Sequence, residues 1–92
     1  MTLTEKVTFK AILQRGNRVQ IPKLIRWQYK IEPTQILKVQ VTTKQMILIT
    51  EQFYAKMTKD GRILIPQLIL SIITPKDQNL TYHVLQITIQ PA

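Results

Sequence analysis

The sequence predicts a mainly β domain with two short helices: a six-stranded closed barrel built from two ββαβ halves related by a pseudo-twofold axis. Three observations predict it. First, the chain repeats itself. Gly16-Asn17-Arg18-Val19-Gln20-Ile21-Pro22 returns as Asp60-Gly61-Arg62-Ile63-Leu64-Ile65-Pro66, with Pro22 and Pro66 44 positions apart (66 − 22). At the same offset Phe9 matches Phe53, Ala11 matches Ala55, Leu13 matches Met57, Arg15 matches Lys59 and Leu24-Ile25 matches Leu68-Ile69. Second, apolar residues alternate at period two on both sides of each copy. Third, 92 residues suffice for one core only, burying roughly 60–65% of the unfolded chain's surface. Repeat one covers about residues 1–44 and repeat two about 45–92, and neither has the material for a core of its own.

The first strand sets Val7, Phe9, Ala11 and Leu13 on one face and Thr8, Lys10, Ile12 and Gln14 on the other. Gln14-Arg15-Gly16-Asn17 is its turn, because Gly and Asn tolerate positive φ. A short return strand follows, with Val19 and Ile21 inward and Arg18 and Gln20 outward. Pro22 suits the first turn of a helix, where its missing N–H is no loss. The helix runs to about Tyr29, with Leu24, Ile25, Gln28 and Tyr29 on one side and Lys23, Arg26 and Lys30 as an opposite basic stripe. Glu32-Pro33 stops it. Ile36 to Val41 is the third strand, with Leu37, Val39 and Val41 inward.

Thr42-Thr43-Lys44 reads as a turn, after which the program restarts. Met46 to Thr50 runs on into Phe53, Ala55 and Met57. Lys59-Asp60-Gly61 is a hairpin signal, and Arg62 to Ile65 returns with Ile63 and Ile65 inward. Pro66 opens a second helix with Leu68, Ile69, Ile72 and Ile73 as its apolar set, while Leu64 and Leu70 point outward as a possible contact. Thr74-Pro75 ends this helix, Pro75 to Asn79 is a polar loop, and Leu80 to Ile89 is the last strand.

Composition narrows the function classes. There is no cysteine, hence no disulfide or thiolate metal site. No apolar run reaches the ~20 residues that cross a bilayer, and the first residues lack signal-peptide form, so the expected address is cytoplasmic. His83 is the sole histidine and Ser71 the sole serine, leaving no nucleophile–base pair. The five acids are scattered, so no metal site is expected, and two glycines make no phosphate loop. The expectation is a non-enzyme without cofactor. Its charge is +8. Residues 1–44 hold nine bases against Glu5 and Glu32, a balance of +7, and residues 45–92 hold four against three. A field of this sign attracts polyanions, nucleic acid foremost.

The run Gly16 to Arg26, followed by Ile31-Glu32-Pro33 and the strand Ile36 to Val41, resembles the AbrB-type transition-state regulators, whose half reads Gly-Arg-(apolar)-x-Ile-Pro, a helix, an Ile-x-Pro-Gly-Asp loop and a strand. The wider group is the cradle-loop barrels, among them the RIFT barrels. The AbrB type carries one half per chain and pairs as swapped-hairpin dimers. Here both halves share one chain, Leu3 matches Ile47 at the repeat offset, and no strand follows the third strand of repeat two. This favours an unswapped RIFT-type barrel similar to the small stand-alone archaeal ones; a fused swapped-hairpin barrel is the alternative. Departures are visible. Pro33-Thr34-Gln35 lacks the Gly-Asp, Pro75-Lys76-Asp77 keeps the acid alone, and Leu70 and Ser71 replace the helical bases in repeat two.

The resemblance implies DNA binding by basic residues of the first turn and helix, DNA in preference to RNA. The expected nucleic-acid-binding set is Arg15, Arg18, Lys23, Arg26, Lys30 and Arg62. Each residue also has a bland reading. Arg18 and Arg62 can cap a turn or pair with Glu51 or Asp77, and the helical bases can be a solvated face. Trp27 can stack a base, although a tryptophan so placed more often covers a core edge. Tyr54 and Tyr82 suit strand-face packing. The alternative function is a protein-interaction or assembly module, as RIFT-type barrels are in translation factors. A monomer is favoured, with a dimer as the other possibility.

Overall fold

In the computed structural model, which describes residues 3–44, 48–74 and 79–92, the alternating segments become strands and the prolines precede helices. The order is β1 (Val7–Ile12), β2 (Arg18–Gln20), α1 (Lys23–Gln28), β3 (Ile36–Lys44), β4 (Leu48–Lys56), β5 (Arg62–Leu64), α2 (Gln67–Ile73) and β6 (Val84–Pro91). The fold is mainly β, with six strands and two short helices. The strands make two antiparallel sheets, one ordered β1-β6-β3-β4 and one made of β2 and β5 alone. The expected continuous barrel wall is therefore not what the ladders form. At three residues each, β2 and β5 pair along their length with each other. They meet the edges of the larger sheet at single bonds, Gln14 N to Arg18 O at 2.7 Å and Thr58 N to Arg62 O at 2.8 Å.

The registers carry the duplication into three dimensions. Val7 pairs with Ile89 in the β1–β6 ladder, and Glu51 with Val41 in the β4–β3 ladder. These are the same pair once the halves are exchanged. Arg18↔Leu64 becomes Gln20↔Arg62 under the same exchange, and the bond from Ile21 N to Gly61 O becomes that from Ile65 N to Asn17 O. Two pairs map onto themselves, Val19↔Ile63 in the small sheet and Gln40↔Thr88 in the large one. They mark where the twofold of the hydrogen-bond pattern passes.

The core lies between the sheets, on the face the alternation predicts. Val19, Ile21, Leu37, Val39, Val41, Ile63, Ile73, Ile87 and Ile89 are fully buried, each contributing on the order of 1.5–3 kcal/mol by removal from water. Leu3 is buried too, its backbone clamped by the Gln35 amide, which accepts from Leu3 N at 2.8 Å and donates to Leu3 O at 2.7 Å. Buried hydroxyls are satisfied: Thr43 donates to Ile73 O, and Thr88 shares a hydrogen bond with Thr8.

Several elements differ from expectation. The Thr42-Thr43-Lys44 turn is strand, because Thr42 and Thr43 pair with Thr50 and Ile49 and continue the β3–β4 ladder. The last strand starts at Val84, not Leu80; Thr81 and Tyr82 form a turn, with Tyr82 at φ 68°. Pro22 and Pro66 sit at the N-cap, one residue before the helix. Both helices are rotated relative to the predicted faces. Leu24 and Leu68 are 72% and 71% exposed, whereas Leu70, expected outward, is buried. The faces turned inward are Ile25, Arg26 and Tyr29 in α1 and Ile69, Leu70 and Ile73 in α2, the same positions of the repeat. Tyr54 and Tyr82 are both 63% exposed and do not pack as expected. Met46, Ile47, Pro75, Lys76 and Asp77, together with the readings placed on them, lie outside the described residues. Among the described residues no helix is long and apolar enough to cross a membrane.

Candidate nucleic-acid interface

The first hairpin turn and α1 carry most of the predicted contact set. Gly16 and Asn17 adopt φ of 80° and 61°, which turns the chain back so that Arg18 leaves the ribbon on its outer side. Arg15 and Arg18 are exposed. On α1, Lys23 and Lys30 are exposed as well. The Lys23 ammonium lies 4.6 Å from the centre of the Trp27 ring, one helical turn on, a cation–π contact. Trp27 itself is 67% exposed and covers no core edge.

Arg26 and Arg62 are held by the protein. Arg26 Nε donates to Ile21 O at 3.1 Å, and its guanidinium lies against Gly61, filling the space a β-carbon there would need. A first-half arginine thus covers the second-half turn. Arg62 donates from Nε to Gln14 Oε1 at 3.0 Å and pairs with Asp60 and not with Glu51. A hydrogen bond from Thr58 and the Arg62 guanidinium hold the Asp60 carboxyl below its ordinary value of 3.8.

These contacts bring the cations to one region. Gln20 Nε2 donates to Asp60 O at 2.9 Å beside Gly61, where Arg26 lies, and Gln14 links Arg62 to the strand bearing Arg18. Arg15, Arg18, Arg26 and Arg62 therefore surround the β2–β5 ribbon, and α1 continues from Arg26 to Lys23, Trp27 and Lys30. Sequence reasoning grouped the charges but missed the parts of Gln14, which holds Arg62, of Gln20, which ties β2 to the second turn, and of Gly61, against which Arg26 lies. The available signal was a pair of outward glutamines flanking the repeated turn.

The second half lacks the counterpart. At the positions matching Lys23, Arg26, Trp27 and Lys30 stand Gln67, Leu70, Ser71 and Thr74. They border a hollow of about 350 Å³ that Asn17, Leu13, Leu80 and Thr81 complete. Asn17 occupies the place of Gly61 there, and its amide donates to Gln67 Oε1 at 3.0 Å. His83 and Ser71 are exposed, the Ser71 hydroxyl donating to Leu68 O.

No protein-family model and no curated protein matches the chain. A solved structure does: the solution structure of PHS018 from Pyrococcus horikoshii, at a TM-score of 0.74 and 20% identity, spanning 99% of this chain and 94% of that one. The chain thus shares its fold over nearly its whole length with that archaeal protein.

Proposed function

We propose that the protein is a small non-enzymatic nucleic-acid-binding barrel, DNA-binding by preference and related to the AbrB-type regulators. The closed, RIFT-type reading of the barrel belongs to the same proposal, supported by the two symmetric bonds that tie the small ribbon to the edges of the large sheet. The observation that carries the function is the exposure of Arg15 and Arg18 beside the β2–β5 ribbon and of Lys23 and Lys30 along α1, which leads away from it, with Asp60 already paired. Phosphates that meet these exposed cations release their condensed counterions, so affinity is mainly electrostatic and sequence-independent. Arg26 and Arg62 shape the surface more than they grip. The test is a salt titration of binding to generic DNA, single- and double-stranded. The wild type loses affinity steeply with salt. Changing Arg15, Arg18, Lys23 and Lys30 together to Ala lowers the slope by about 3. Absence of binding at low salt, or an unchanged slope, removes the reading.

A second reading, a protein-interaction module, is favoured by Leu68 and Ile72 of α2, one turn apart and both exposed. Sedimentation of the wild type against a Leu68→Glu, Ile72→Glu variant separates the two. Self-association lost in the variant supports it, and a wild-type monomer leaves it without a homotypic partner.

A further inference from the structure

We propose that the nucleic acid taken by this surface is single-stranded, with one unpaired base stacked on Trp27; the inference rests on the electrostatic reading above and specifies its ligand. Trp27 is the only tryptophan. It is the penultimate residue of α1, whose inward side is Ile25 and Arg26 with Tyr29 at the C-cap, which directs the indole away from the core, 67% exposed. Lys23 occupies one face of the ring, so a base has the other.

The surroundings suit a nucleotide more than a packing partner. Trp27 borders an open hollow with Arg26, Lys30, Ile31 and Glu32. An indole face takes a base of any identity. Lys23 and Lys30, one turn before it and just beyond the helix end, stand where the flanking phosphates pass. A duplex cannot use this arrangement, because its base faces are already stacked and only its backbone and groove edges are offered.

The internal repeat supplies a control. Ser71 stands at the position of Trp27 in α2, with Gln67 and Thr74 for Lys23 and Lys30. The repeat folds without the aromatic and without its flanking cations, so the fold does not require them. Exposing an indole on a basic surface without structural need is what a stacking platform demands.

The experiment uses the intact protein, with Trp27 as its own reporter. Binding of a labelled oligothymidylate and of a duplex of equal length is followed by anisotropy, and Trp27 emission is titrated in parallel. Expected are quenching by the single strand, and a Trp27→Ala variant that binds it roughly 5- to 100-fold more weakly while its affinity for the duplex is unchanged. Trp27→Phe retains most of the single-strand affinity, and thermal melts of both variants match the wild type, since the side chain is exposed. Salt-sensitive DNA binding without quenching, or equal weakening on both ligands, overturns the stacking site and leaves the electrostatic reading standing. Failure to bind either ligand overturns both.

Discussion

Gly61 shows how one residue type can be demanded twice. Its φ of 84° lies in the left-handed region, and the space a β-carbon would need is filled by the Arg26 guanidinium. Gly16 has a similar φ, 80°, but its nearest neighbour is 3.7 Å away. Gly16→Ala is therefore expected to cost the backbone term alone, about 1–2 kcal/mol. Gly61→Ala adds displacement of Arg26 from its bond to Ile21 O, about 1 kcal/mol more. In an Arg26→Ala background that excess disappears; chemical denaturation of the four proteins measures the coupling, and strict additivity would contradict the contact. The neighbouring Asp60 makes a pH prediction. Its carboxyl is held below 3.8 by Thr58 first, then by Arg62. A depressed folded-state value means stability that is present in full above the unfolded value and lost as pH falls through the folded one. The stability difference between wild type and Asp60→Asn should stay flat above about pH 4 and shrink only below it. The effect is small, because the pair is open to solvent.

The helices show which elements were legible. Strand faces were readable because period two offers only two choices, and apolar content picked the right one in every ladder: Val7 and Phe9, Leu37 to Val41, Leu85 to Ile89. A helix of six or seven residues offers many overlapping faces. The predicted set 24, 25, 28 and 29 and the observed set 25, 26 and 29 share two positions, and hydropathy rejected the second because it contains Arg26. Yet Arg26 turns inward, its charged end bonded to a carbonyl and its stem against the fold. Leu70 takes that place in α2 and is buried. The same ambiguity hid the site: the basic stripe was legible, but not that one of its members closes the opposite half's turn while Trp27 stays outside. Leu70→Ala should cost about 2–4 kcal/mol and Leu68→Ala less than about 0.5 kcal/mol, despite equal hydropathy. Equal losses in a denaturant series would mean the helix faces are assigned wrongly.

Among the described residues, every ladder joins residues of one half to residues of the other. β1 pairs with β6, β2 with β5, and β3 with both β6 and β4; among the described residues, strands of one half meet only at the isolated bonds beside the turns. A half alone therefore has apolar faces without cover and strand edges without partners, and nothing to offset the entropy of ordering them. Fragments 1–46 and 47–92, divided between β3 and β4, are expected to be unfolded separately. Mixed, they should recover a β-type circular dichroism spectrum. The registers would also permit each half to pair with a copy of itself, since Val19↔Ile63 and Gln40↔Thr88 map onto themselves when the halves are exchanged. Charge decides against that for the first half. Two copies bring +14 together, whereas the mixed pair carries the +8 of the whole chain. Added salt should therefore raise the proportion of first-half homodimer relative to the mixed complex, by screening that repulsion. Independent folding of either fragment as a monomer would show that the halves hold cores of their own, against the pairing seen here.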